Sequence, residues 1–167
     1  MRRPRRRRRA MRGRGPVRRV EITFAGGERF IMELLQRDAP RCCDTVWANL
    51  PFEAPTYHGT TSGYTVWHPV SFWTGMVEHP RVYGASPGDV LINSQVLPVT
   101  MQGGVVIPQE IYLVYGPVAF FNFSGWFPMA HFGRIVEGDL ARFREACRRI
   151  HRRGQERISY RRLEGLR

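Results

Sequence analysis

The chain has 167 residues, 43% of them hydrophobic and 12% aromatic, enough for one domain with a real core and too apolar through its middle for a disordered chain. No apolar run approaches the roughly 20 residues of a membrane helix, and the charged N-terminus has no apolar stretch after it, so neither a span nor a secretory signal is expected. The net charge of +12 is unevenly spread: residues 1–19 carry +11, residues 20–140 carry −6 and residues 141–167 carry +7, every basic residue being Arg. The expected organisation is an Arg-rich disordered tail (1–17), a domain over 18–154 and a basic C-terminal extension (155–167). The tail can be read as a non-specific phosphate grip, or as the product of a start placed before the true one, with Met11 or a later site as the beginning. Because the middle is acidic, nucleic acid is not expected as a partner.

In chain order, Arg19–Phe24 alternates as a half-buried strand, Ala25-Gly-Gly27 turns it, and Arg29–Leu35 is its hairpin partner. Asp38 is expected to cap a helix through Leu50, with Pro40 in its first turn and Ala39, Cys43, Val46, Trp47 and Leu50 on its apolar face. Tyr57-His58 and Gly63–His68 are two further strands, and 70–86 is a long aromatic loop of the kind that forms lids and binding walls. Pro87-Gly-Asp89 turns into a strand over Val90–Asn93. Further strands are expected at Glu110–Tyr115, Val118–Phe123 and Met129–Val136. A last helix, capped by Asp139 and ended by Gly154, carries Leu140, Phe143, Cys147 and Ile150 on one face and arginines on the rest. Many short strands between Gly and Pro turns predict a sandwich or barrel. The three cysteines form neither a disulfide framework nor a CxxC, and suit a reduced, cytoplasmic setting.

Two segments carry a resemblance. Met32-Glu-Leu-Leu-Gln-Arg-Asp-Ala-Pro40 resembles the entry into the first helix of cyclophilins, and His131-Phe-Gly-Arg-Ile-Val-Glu-Gly138 resembles the strand leading to their final helix. Where a cyclophilin carries Phe-His-Arg this chain has Tyr57-His58-Gly59, so efficient prolyl isomerisation is not expected. A closer resemblance, over roughly 18–140, is to a bacterial family of small uncharacterised cyclophilin-like proteins. It rests on Leu50-Pro-Phe52 with His58, on Pro87-Gly-Asp89, on Glu110-Ile-Tyr with Tyr115-Gly116, and on His131-Phe132 with Arg134-Ile135. The resemblance implies a mainly β fold, a closed antiparallel cyclophilin-like β-barrel with two helices, the first over one opening and the second packed outside, often as a homo-oligomer.

The candidate catalytic residues are His58, Glu110, Tyr115 and His131, polar groups set in expected strands where alternate residues face inward. Histidine titrates near neutrality, and a Glu110 carboxyl beside the apolar run 111–115 would have a raised pKa, which suits acid–base work. Each also has a plainer reading: Glu110 as a solvated strand end, His131 as a satisfied core residue, Tyr115 as packing. Tyr57, Trp67, Trp73, Phe123 and Trp126 are the candidate substrate-binding residues, as an apolar cage or as core and interface. His58, His131 and Glu110 lack ligand spacing, so no metal is expected, and with no phosphate loop or dinucleotide fingerprint no cofactor is expected either. The function expected is a small-molecule enzyme, a hydrolase or ring-opening enzyme acting on an amide or cyclic amide by His/Glu acid–base catalysis. The alternative is a non-catalytic small-ligand-binding or assembly protein. The sharpest expectation is geometric: the four catalytic candidates should meet in one pocket.

Overall fold

The computed structural model describes residues 16–75, 78–93, 99–100, 106–107, 109–122, 125–126 and 128–163. Among the described residues, fourteen strands and two α-helices are formed. The first half holds β1 (Arg19–Phe24), β2 (Arg29–Leu34), α1 (Pro40–Ala48), β3 (Phe52–Pro55), β4 (Tyr57–His58), β5 (Gly63–Val70), β6 (Pro80–Arg81) and β7 (Asp89–Asn93). The second holds β8 (Val99–Thr100), β9 (Val106–Ile107), β10 (Gln109–Val118), β11 (Phe121–Asn122), β12 (Gly125–Trp126), β13 (Met129–Ile135), α2 (Leu140–Arg153) and β14 (Arg157–Leu163).

The main sheet runs β3-β14-β1-β2-β13-β7-β10-β5-β4, with β6 added to β13 and every pairing antiparallel. Its two edges, β3 and β4, are consecutive in the chain, so the sheet curls until Thr56 alone joins them. Thr56 is fully buried, and both its amide and its hydroxyl donate to the Glu156 carbonyl, at 2.8 and 2.7 Å. The result is a nearly closed antiparallel barrel, which disposes of the edges that an open sheet would expose.

Alternation sorts the side chains. Val20, Ile22, Phe24, Phe30, Met32, Leu34, Val66, Ile111, Leu113 and Phe132 point into one core. Both helices insert into it: α1 through Cys42, Cys43 and Val46, α2 through Phe143, Ala146, Cys147 and Ile150. Phe143 stands edge-on to Phe24 and Phe30, at 6.3 and 5.5 Å. The final helix is therefore not packed outside a closed wall, as expected, but supplies part of the interior. Among the described residues no helix is long and apolar enough to cross a membrane.

Other expectations change in detail. Residues 157–163 are not an extension: Ile158 and Tyr160 alternate inward as β14, between β1 and β3. Its arginines face out to Glu53, Glu21 and the Trp47 ring, which is why the segment reads as merely basic. Asp38 does not cap α1. Ala39 holds the N-cap position, and the free Cys42 amide is taken at 2.8 Å by the distant Glu78 carboxylate. Asp139 does sit at the N-cap of α2, but its carboxylate accepts from Arg142 rather than from the backbone. In place of one strand over 118–123, β10 runs through Val118 and β11 pairs with β12 in a separate ribbon. The tail expected over 1–17 falls outside the described residues except for Pro16 and Val17, both exposed.

Candidate functional site

Period-two alternation decides which candidates can meet. Along β10, Ile111, Leu113 and Tyr115 face the core, whereas Tyr112 and Val114 belong to a second buried apolar cluster on the other, outer face of the sheet, with Leu91, Phe120 and Met129. Glu110 shares the face of Tyr112, whose hydroxyl donates to its carboxylate at 2.6 Å. Glu110 and Tyr115 are five residues apart, an odd number, so they lie on opposite faces of the sheet. His58 sides with Tyr115: the Tyr115 hydroxyl and His58 Nε2 are 2.6 Å apart. His131 lies on the outer face, opposite Leu91. The structure thus brings His58 and Tyr115 together and does not bring Glu110 or His131 to them.

Each cluster has its own chemistry. Burial pushes the Glu110 carboxyl up, against the Tyr112 hydrogen bond, as the apolar run around it implied. His131 is almost fully buried, with Nε2 3.1 Å from the Gly133 carbonyl and 3.3 Å from Asp89. Its Nδ1 has no hydrogen-bond partner among the described residues, and its ring stacks on His79 at 4.9 Å. Burial raises the Asp89 carboxyl, but His131, the Ser86 amide and Arg134 outweigh it and bring the pKa to about 2. Asp89 therefore anchors the Ser86-Pro87 turn as a carboxylate. The aromatic candidates do not form one cage. Tyr57 stacks on Trp67 at 4.6 Å and Trp67 lies 6.5 Å from Tyr112, all on the outer face. Trp126 meets Tyr83 edge-on where both are exposed, Trp73 is partly buried in the loop after β5, and Phe123 lies outside the described residues. Among the described residues no group of His, Cys, Asp and Glu is arranged to hold a metal ion.

Tyr115 lines a groove of about 570 Å³ between the ends of β5 and β10, the turn at 85–87 and α2, with His58 hydrogen-bonded behind it. That lies within the roughly 300–1,000 Å³ typical of small-molecule sites. Tyr64 forms one wall, edge-on to Tyr115 at 5.6 Å. Gly116 makes room for it, since a Cβ there would meet Tyr64 Cβ at 2.7 Å. From the other side Arg144 and Arg148 of α2 reach in. Behind the groove His151 stacks on His58 at 4.1 Å.

The protonation states follow from the surroundings. Burial holds the Tyr115 hydroxyl up at about 12, so it keeps its proton near neutrality. Burial, and then the neighbouring His151, lower the His58 pKa below its ordinary 6.5, only partly opposed by the Gly59 backbone. Near neutrality Tyr115 donates and a neutral His58 accepts at Nε2. The sequence reading missed Tyr64, Arg144, Arg148 and His151. Only the arginines left a signal, as basic positions i and i+4 on an amphipathic helix.

The model of a family described as "Protein of unknown function (DUF3830)" matches residues 22–161. No curated protein matches the chain. Among solved structures, McbB, determined in complex with tryptophan, superposes with a TM-score of 0.69 at 19% identity, over 89% of this chain and 46% of McbB. The chain therefore spans less than half the length of that relative. A hypothetical protein from Archaeoglobus fulgidus gives a TM-score of 0.54 at 18% identity over 92% of this chain and 100% of its own. A cyclophilin-type peptidyl-prolyl cis-trans isomerase from Cryptosporidium parvum gives 0.41 at 14% identity, over 78% and 85% of the two chains. Identities this low speak for the fold alone.

Proposed function

The chain belongs to a family whose function is not established (DUF3830), so its function has to be read from its own side chains, and we propose that it binds a small organic molecule in the α2 groove and moves a proton there through Tyr115 and His58. The observation that carries this reading is the 2.6 Å hydrogen bond between Tyr115 and a neutral His58 at the edge of a ligand-sized groove. Tyr115 gives its proton to the bound molecule and recovers one from the water consumed in the reaction, while His58 Nε2, the acceptor of its hydrogen bond, orients the hydroxyl. The reaction class we carry forward is hydrolysis of an amide or cyclic amide: water adds to the carbonyl carbon, the C–N bond breaks, and the leaving nitrogen takes the proton that Tyr115 gives. This replaces the His/Glu pairing with a Tyr/His one, because Glu110 works on the other face. McbB, the neighbour solved with tryptophan, supports a ligand of comparable size without naming this one.

A second reading has its own observation. With His58 and Glu110 on opposite faces, the acid–base set expected from sequence is not assembled, which favours a protein that binds its ligand without turning it over. One experiment separates the two: a panel of amides and cyclic amides is offered to the wild type and to Tyr115→Phe, with turnover and thermal shift both recorded. Turnover that falls about a hundredfold or more in the variant supports the enzyme. Ligand-induced stabilisation without turnover in either protein supports the binder. Assembly into homo-oligomers in a cytoplasmic setting belongs to the same proposal, with exposed Tyr83 and Trp126 as an apolar patch for association; a monomeric mass in solution would remove that part.

A further inference from the structure

The Ser86-Pro87 turn separates two clefts of similar size. On one side, about 520 Å³ is lined by Arg134 together with Glu33 and Glu137, so its charges offset one another. On the other lies the α2 groove, whose lining, among the described residues, holds Arg144 and Arg148 and no carboxylate. Of the other arginines on α2, Arg149 pairs with Glu28 and Glu156, Arg142 with Asp139 and Arg152 with Glu145, and Arg153 lines a different cleft together with Glu28 and Glu156. Arg148 reaches only the same Glu145, at 3.8 Å, and Arg144 has no ion pair among the described residues. The two stand at i and i+4, so their guanidiniums project from one face of the helix into one space. The opposite wall is apolar and planar: Tyr64, Pro87, Pro117.

From this asymmetry we infer that the molecule taken by the groove carries a carboxylate, held between Arg144 and Arg148, with a planar apolar body against Tyr64 and Pro117 and its far end over Tyr115. The inference rests on the groove being the ligand site. A guanidinium presents its N–H groups as a planar fork that matches a carboxylate two bonds at a time, and two forks one helical turn apart enclose a single anion. A phosphate is the poorer occupant. A guanidinium fork also takes phosphate, but the groove adds to it no helix N-terminus, since Arg144 and Arg148 come after the first turn of a helix that begins at Leu140. Because both arginines are solvent-exposed, water weakens the attraction, and the preference is one of degree.

The test is an NMR titration of the ¹⁵N-labelled full chain with phenylacetate, with its neutral isostere phenylacetamide, and with inorganic phosphate. Phenylacetate should bind about tenfold more tightly than phenylacetamide, as expected for charge-assisted hydrogen bonds partly screened by solvent, with the largest shifts at Tyr64 and Gly116. The doubly substituted Arg144→Gln/Arg148→Gln chain should keep its affinity for phenylacetamide and lose the preference. Equal affinities for acid and amide, a preference that survives the double substitution, or displacement of phenylacetate by phosphate at equal concentration would each overturn the inference and leave the ligand-site reading standing. If neither compound moves Tyr64 and Gly116 at tens of millimolar, the groove is no ligand site and both fall.

Discussion

Two tyrosine–histidine pairs of nearly equal length sit in this barrel, and their surroundings give them different work. His68 Nε2 lies 2.7 Å from the Tyr160 hydroxyl, and His58 Nε2 lies 2.6 Å from that of Tyr115. The first pair is sealed: both rings are buried, Phe52 stacks on Tyr160 at 4.6 Å, and His68 Nδ1 bonds the Pro69 carbonyl at 3.2 Å. Every polar atom of that imidazole is satisfied inside the protein, so the pair ties β5 to β14 across the barrel interior and has nothing to exchange with solvent. In the second pair His58 is half-buried and stacks on an exposed histidine, and Tyr115, though buried, lines a groove. The same bond is a structural tie where it is enclosed and holds a proton donor in place where the tyrosine faces a groove.

Breaking each pair should separate these roles. His68→Ala should have the largest effect on stability, about 4 kcal/mol in chemical denaturation, since it leaves a cavity and a buried Tyr160 hydroxyl without its acceptor. His58→Ala should cost less than about 1 kcal/mol while removing groove function; a cost as large as that of His68→Ala would erase the distinction.

Acid should act through the sealed pair next. Burial lowers the His68 pKa to about 4 from the ordinary 6.5. The folded chain therefore resists a proton that the unfolded chain accepts, and stability falls as pH drops from 6.5 towards 4. The loss attributable to His68 is about 3 kcal/mol at full protonation. It should disappear in a His68→Gln chain titrated over the same range.

Asp89→Asn should cost about 2 kcal/mol, because the buried carboxylate serves His131, Arg134 and the Ser86 amide together. It should also loosen the turn that forms one side of the groove. Altered ligand affinity without destabilisation would show that Asp89 does not hold that turn by charge. A further test lies at Gly59, whose amide donates to the Thr65 carbonyl at 2.8 Å. A Cβ there would meet Oγ1 of the fully buried, β-branched Thr65 at 2.2 Å, so Gly59→Ala should cost about 2 kcal/mol.

The same contrast explains how far the sequence could be read. Strands β1, β2, β7, β10 and β13 and both helices were legible because their apolar residues keep the period that one buried face imposes. β14 keeps it too, in Ile158 and Tyr160, but five neighbouring residues are arginine, serine or leucine at the rim, and charge masked the alternation. The error over the site was one of parity. Residues 110 and 115 cannot share a face of a regular strand, a fact available from the numbering alone. What lay beyond the sequence is the pairing of His58 with Tyr115 and of His68 with Tyr160, 57 and 92 residues apart, which only the closure of the barrel brings about.

The most direct measurement is an NMR titration of the histidine side chains with and without phenylacetate. The account predicts that His58 titrates below 6.5 and shifts when the groove is filled, while His68 stays neutral down to about pH 4 and does not respond. A His58 that titrates as a free imidazole and ignores the ligand, beside a His68 that responds to it, would contradict the account.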